Sequence, residues 1–193
     1  MLDKELETYC PQSRTDWRQW LEKNHQSKQS VWLVYYTKKS HIPSLSWSEA
    51  VDEALCFGWI DSTKKTIDPF SYMQFFSKRK PKSNWSKINK EKVQQLIEKG
   101  LMTKAGYQSI ETAKQNGSWI ILDEVEALII PDDLEQAFKK HTGSKDYFLS
   151  LSKSARKLLL SWIALAKLPE TRQKRVDEIA QSAGQNQKPK HLR

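Results

Sequence analysis

The sequence predicts an α+β protein: a small, roughly three-stranded antiparallel or mixed sheet among helices, followed by a helical C-terminal module. Three observations carry this expectation. Val31–Tyr36 is apolar on both alternating faces and rich in β-branched and aromatic residues, as a strand covered on both sides must be. Residues 62–80 place two further strand-like runs around a turn at Asp68-Pro69. Beyond residue 131 the apolar residues recur at helical spacing.

The first helix is expected over about 15–24, where Trp17, Trp20 and Leu21 fall at i, i+3 and i+4. After the strand, Pro43 and a serine-rich stretch lead to Ser46-Trp-Ser-Glu49. This is a capping box, in which Ser46 accepts from the amide three residues on and Glu49 reaches back. The helix it starts carries Trp47, Ala50, Val51, Ala54, Leu55 and Gly58 on one stripe. A glycine on such a stripe implies a close backbone approach or the helix end. The hairpin comprises Ser62–Ile67 and Phe70–Arg79. A helix after Ser86 stops at Gly100, and another over about 103–115 stops at Gly117. C-terminal helices are expected over about 132–140, 144–150, 153–167 and 170–183, with Pro169 breaking the last two into an antiparallel pair.

With 193 residues the chain has the length of one full-sized domain or two small ones. Hydrophobic residues at 38% and eight tryptophans provide enough apolar surface for packed cores, which excludes a disordered tail protein. The expected organisation is an α+β module over 1–118, a linker over 119–131, a helical module over 132–184 and a basic, frayed tail over 185–193. The linker reading rests on two apolar clusters, Ile120–Leu122 and Leu128–Ile130, separated by acids and ended by Pro131.

The start, Met1-Leu-Asp-Lys-Glu-Leu-Glu7, is charged and lacks the apolar run of a secretory signal. No stretch approaches the roughly 18 uninterrupted apolar residues of a membrane span. A cytoplasmic location without membrane insertion is therefore expected. Cys10 and Cys56 are too few for a disulfide framework and have no CxxC spacing. Phosphate-loop, dinucleotide and zinc-protease motifs are absent too, so no cofactor, metal or catalytic set is expected.

The net charge of +9 is concentrated. Residues 1–61 are slightly acidic, at −2, whereas 62–92 hold nine cations against two acids. Residues 120–140 turn negative, at −4, and 141–166 and 167–193 return to +3 and +4. A focused site for an anion or an acidic partner fits this distribution better than a whole-surface coat for nucleic acid.

Three strings stand out together: Glu53-Ala-Leu-Cys-Phe-Gly-Trp-Ile-Asp61, Phe76-Ser-Lys-Arg-Lys-Pro-Lys-Ser-Asn-Trp-Ser86 followed by Asn89, and Ala166-Lys-Leu-Pro-Glu-Thr-Arg-Gln-Lys-Arg175. With Val31-Trp-Leu33 and Gly100-Leu-Met-Thr-Lys-Ala-Gly106 they resemble, in order, the YdeI/OmpD-associated or bacteriocin-protection family across roughly residues 13–183. The chain departs from the resemblance at Lys78, where the family favours proline before the arginine. The resemblance implies an α+β module, a helical module and a stress- or resistance-associated role. It implies no catalytic residue.

The candidate ligand residues are Trp59, Asp61, Arg79, Ser83, Trp85 and Asn89, expected around a cleft between the Cys56–Asp61 turn, the Arg79–Trp85 loop and the helix from Ser86. Lysine and arginine there would neutralise an anionic small molecule or nucleic-acid phosphates while Trp85 offers a stacking face. A solvated basic loop with Trp85 packed inward is the alternative. Asp61 paired with Arg79 would anchor either a ligand or the fold. Cys56, Asp61 and Arg79 would also be the residues of an enzyme, although Cys56 reads equally as a small buried hydrophobe with no histidine in a partnering pattern. Arg172 and Arg175, nearly one helical turn apart, face either an acidic protein partner or the chain's own acids at 123–135.

Overall fold

The computed structural model describes residues 7–192. Met1–Leu6, most of the charged start, and Arg193, the end of the tail, lie outside the described residues. The chain divides into two compact units, Met1–Ser118 and Trp119–Arg193.

In the first unit the elements run β1 (Thr8–Tyr9), α1 (Arg14–Asn24), β2 (Ser30–Tyr36), α2 (Trp47–Cys56), β3 (Trp59–Asp68), β4 (Ser71–Lys78), α3 (Lys87–Glu98) and α4 (Lys104–Gln115). The sheet order is β1-β2-β4-β3, with β1 parallel to β2 and the other pairs antiparallel, so the sheet is mixed. Among the described residues it has four strands where roughly three were expected. The fourth, β1, is two residues long and carries no readable alternation. β3 also begins three residues before the expected hairpin. Its register shifts between Asp61 and Lys64, a bulge that breaks the period-2 pattern just where the strand would otherwise declare itself.

One face of the sheet carries Val31, Leu33, Tyr35, Trp59 and Phe76, all buried. Trp17 of α1 meets Phe76 edge-on at 5.6 Å and donates its indole N–H to the Ala50 carbonyl of α2 at 3.1 Å. The capping box on α2 forms as the spacing predicts: Ser46 Oγ accepts from the Glu49 amide and Glu49 Oε2 from the Ser46 amide. Glu53 is buried, yet it accepts from Arg14 Nε at 2.6 Å and Arg18 Nη1 at 2.7 Å. Arg18 Nη2 goes on to donate to the Leu101 carbonyl at 3.0 Å. This network offsets the cost of burying a carboxylate and ties α1, α2 and the approach to α4 together.

The end of α2 and the start of α4 touch backbone to backbone. The Cys56 carbonyl accepts from the Thr103 amide at 3.2 Å and the Thr103 hydroxyl at 2.6 Å. Gly106 leaves the space for this: a Cβ on it would lie 2.4 Å from the Cys56 carbonyl oxygen. Gly58, on the expected α2 stripe, is both the helix end and a close approach, with φ +71° and α4 packed against it.

The second unit is helical: α5 (Asp123–Glu126), α6 (Asp132–Lys139), α7 (Ser144–Ser150), α8 (Lys153–Ala164) and α9 (Pro169–Gly184). Its core joins Leu134, Phe138, Phe148, Leu159, Ile163, Val176 and Ile179. The segment expected as a linker belongs to this unit, because α5 puts Val125 into that core. The tail is not frayed over its described part. Lys190 N donates to Glu178 Oε1 at 3.1 Å, the His191 ring stacks on Trp162 at 4.6 Å, and Leu192 packs on the core.

Gly106→Ala sets two effects against each other. Helix propensity favours alanine by up to about 1 kcal/mol. A Cβ driven into a backbone oxygen costs more, because α2 must move to relieve it. Chemical denaturation is expected to show a net loss of about 2 kcal/mol or more, and a stabilised variant would refute the contact.

Candidate anion site

Arg79 is placed by the backbone before its side chain does anything. Its amide donates to the Gly58 carbonyl at 2.9 Å, pinning the end of β4 to the turn between α2 and β3. The loop that follows is held by Asn116 Nδ2 and Ser118 Oγ, which donate to the Pro81 carbonyl at 2.7 and 3.3 Å. Within this frame the Arg79 guanidinium lies 3.8 Å over the Trp85 ring, and Nη1 donates to the Asn84 carbonyl at 2.8 Å. Its Nε and Nη2 are closed to solvent and have no hydrogen-bond partner among the described residues. Burial pushes the guanidinium down to about 10, against a smaller upward pull from the charge of Asp61. It remains a cation at neutral pH.

Arg79 lines a cleft of about 440 Å³, within the range of small-molecule sites. Gly58, Trp59 and Lys78 line it with Arg79. The opposite wall is a single face of α4, from Ala105 through Gln108 and Ser109 to Thr112. His25 contributes a ring whose Nδ1 is 2.8 Å from the Leu21 carbonyl, so Nδ1 carries the proton of the neutral ring and Nε2 the lone pair. Among the described residues no carboxylate lines the cleft. Among the described residues none of Lys78, Arg79, Lys80 and Lys82 is ion-paired, whereas Lys92 pairs with Asp52 and Lys87 with Glu91.

The six expected ligand residues do not converge. Trp59 and Arg79 share the cleft. Trp85 is fully buried beneath the guanidinium and offers its face to Arg79, not to a ligand. Asp61 does not pair with Arg79: its Oδ2 accepts from Trp47 Nε1 at 2.9 Å and Gln74 Nε2 at 3.1 Å. The register explains this, since Asp61 sits opposite Phe76, three residues short of Arg79. Ser83 lines a second depression on the other side of Arg79. Asn89 lies in the first turn of α3, its amide donating to the Ser86 cap, and lines neither space. The wall from α4 replaces the expected helix from Ser86. Its signal in the sequence is the i, i+3, i+4, i+7 spacing of Ala105, Gln108, Ser109 and Thr112 beside the buried stripe of Gly106, Ile110 and Ala113.

Two other candidates fall to structural roles. Arg172 makes a bidentate pair with Asp133 at 2.6 and 3.0 Å, and Arg175 donates to the Trp162 carbonyl while lying over that ring. Both serve the second unit's own packing. Cys56 is fully buried, and burial followed by the charge of Glu53 pushes its thiol up to about 11.

Residues 9–109, more than half of the chain, match the family model described as a domain of unknown function, DUF8412. The chain belongs to this family. Residues 127–186 match a second family model, bacteriocin-protection, YdeI or OmpD-associated. The resemblance read from the motifs thus holds for the second unit, which contains the Ala166–Arg175 string. The strings at 53–61 and 76–86, which build the cleft, fall in the DUF8412 match. No curated protein and no solved structure matches the chain.

The two thiols are expected to separate chemically. Cys10 is only partly buried and Cys56 fully so. With iodoacetamide at pH 8 the native protein should alkylate at Cys10 first and at Cys56 only as it unfolds, read by peptide mass spectrometry. Rapid native labelling of Cys56 would reopen it as a nucleophile.

Proposed function

We propose that this chain is a cytosolic binding protein that holds an anionic ligand in the cleft between Gly58, Arg79 and α4, in a stress or resistance role of the kind the second unit's family description names. The observation that carries the reading is the state of Arg79. A guanidinium whose Nε and Nη2 are closed off without partners is costly to the fold, because each unmade hydrogen bond on a charged group forfeits about 1.5–3 kcal/mol. The Nε–Nη2 edge is the fork that matches a carboxylate or phosphate in two parallel bonds. That edge is covered as it stands, so an anion would reach it as the surrounding loop gives way, and there it would restore the missing bonds and return the guanidinium toward its ordinary basicity. Lys78 adds a second cation, its Nζ now donating to the Gln26 carbonyl at 2.7 Å. Ser109 and Gln108 add neutral hydrogen-bonding groups for the body of the ligand.

A binding role is favoured over catalysis by the same geometry. The groups that an enzyme reading would need stand apart: Cys56 is neutral and buried, and Asp61 is committed to Trp47 and Gln74. The cytosolic part of the proposal draws support from the two free thiols.

Calorimetry and thermal shift with pyrophosphate and citrate as probes test the site. Arg79→Met keeps an apolar side chain of similar reach beside Trp85 and removes the fork. Binding is expected to weaken about ten- to a hundredfold, and Arg79→Lys is expected not to restore it. Equal affinity in Arg79→Met, folded by circular dichroism, would overturn the assignment.

A further inference from the structure

Arg79 lies on the boundary of two depressions. Beyond it, on the sheet face opposite the helices, is a groove of about 730 Å³ that shares Lys78, Arg79 and Pro81 with the cleft. Its floor follows from the register. Ser30, Ser77 and Ile60 lie opposite one another across β2, β4 and β3, and Phe75 lies opposite Trp32 one step along. Ser62 and Ser83 complete the hydroxyl lining, and Lys80 adds an exposed cation. Next to the groove, exposed Lys65 extends over the Trp32 ring with Nζ 4.8 Å from its centroid. Among the described residues no carboxylate lines the groove.

We infer that the ligand of this site is an extended polyanion, a single-stranded nucleic acid, whose backbone runs along the groove from Lys65 past Lys80 to Arg79. The inference rests on the anion-site reading and names its substrate class. A compact anion needs only the cleft. The shared wall, the cations on either side of it and the row of serine hydroxyls suit a chain of phosphates and sugars. Half-buried Phe75 offers a base a π-face in the middle of that path, which an acidic protein segment would not use.

The test uses the full chain and a fluorescein-labelled oligothymidylate of roughly 12 nucleotides, followed by anisotropy. Binding is expected to be saturable and salt-dependent, with a slope of log K against log salt of about −2 for three phosphate contacts. Lys65→Glu with Lys80→Glu, both at exposed positions, should weaken it at least about tenfold. Phe75→Leu should weaken it at least about fivefold. Pyrophosphate affinity should be unchanged in all these variants. If pyrophosphate binds through Arg79 and the oligonucleotide does not, or if the oligonucleotide ignores the charge reversal, the groove assignment is wrong and the anion site stands. If polyglutamate binds in its place with the same variant profile, the partner is an acidic protein and the inference is overturned. If neither probe binds, the anion site fails with it.

Discussion

The carbonyl of Cys56 is the point on which the geometry of the first unit's candidate site depends. It accepts from both the amide and the hydroxyl of Thr103, and it can do so only because Gly106 has no side chain. That contact sets α4 against the end of α2, so Gly58 leaves the helix directly beneath Ala105 and Ser109. The Gly58 carbonyl then takes the Arg79 amide, and the guanidinium is delivered to the foot of the wall that α4 makes. One backbone oxygen thus relates three segments far apart in sequence. A larger residue at 106 would shift the wall before it touched any ligand.

Charge compensation differs from segment to segment. In the second unit, the acids at 126, 133 and 135 meet Lys157, Arg172 and Lys145 at short distances. In the first, the cations at 78–82 meet no carboxylate among the described residues. Glu53, Asp52 and Asp61 are committed to Arg14 and Arg18, to Lys92, and to Trp47 and Gln74 respectively. Uncompensated charge on a structured loop is a stronger pointer to an anionic partner than a high isoelectric point, which a matched surface also produces.

The architecture was legible where local pattern decides it. The capping box at Ser46, the glycine stops and the helical stripes of the second unit depend on neighbours within a few residues, and they appear where their spacing says. The two-residue β1 and the bulged start of β3 depend on pairing with distant strands and leave no period to read. The site was half legible for the same reason. The cluster of cations marked Arg79, but which residues face it is a matter of register and helix approach. Asp61 looks close to Arg79 in the hairpin, yet one pairing step assigns it to Gln74 and Trp47. Small polar residues on α4 carry no charge signal at all, and their part in the cleft follows only once Gly106 has drawn that helix onto Cys56.

The separation of Asp61 from Arg79 decides what kind of site this can be. Had the two paired, the guanidinium would be satisfied internally, and any incoming anion would have to displace a carboxylate already desolvated in place. With Asp61 held elsewhere, its charge acts on Arg79 only from a distance, too weakly to undo the effect of burial. Trp85 supplies cation–π support without filling the fork, and Asn84 takes Nη1, the one nitrogen on the far side of it. The side chain is therefore oriented in advance, with its bonding edge unpartnered but covered until the surrounding loop gives way. Pre-orientation of this kind lowers the entropic cost of binding and favours planar or tetrahedral oxyanions over halides, which cannot use two parallel bonds.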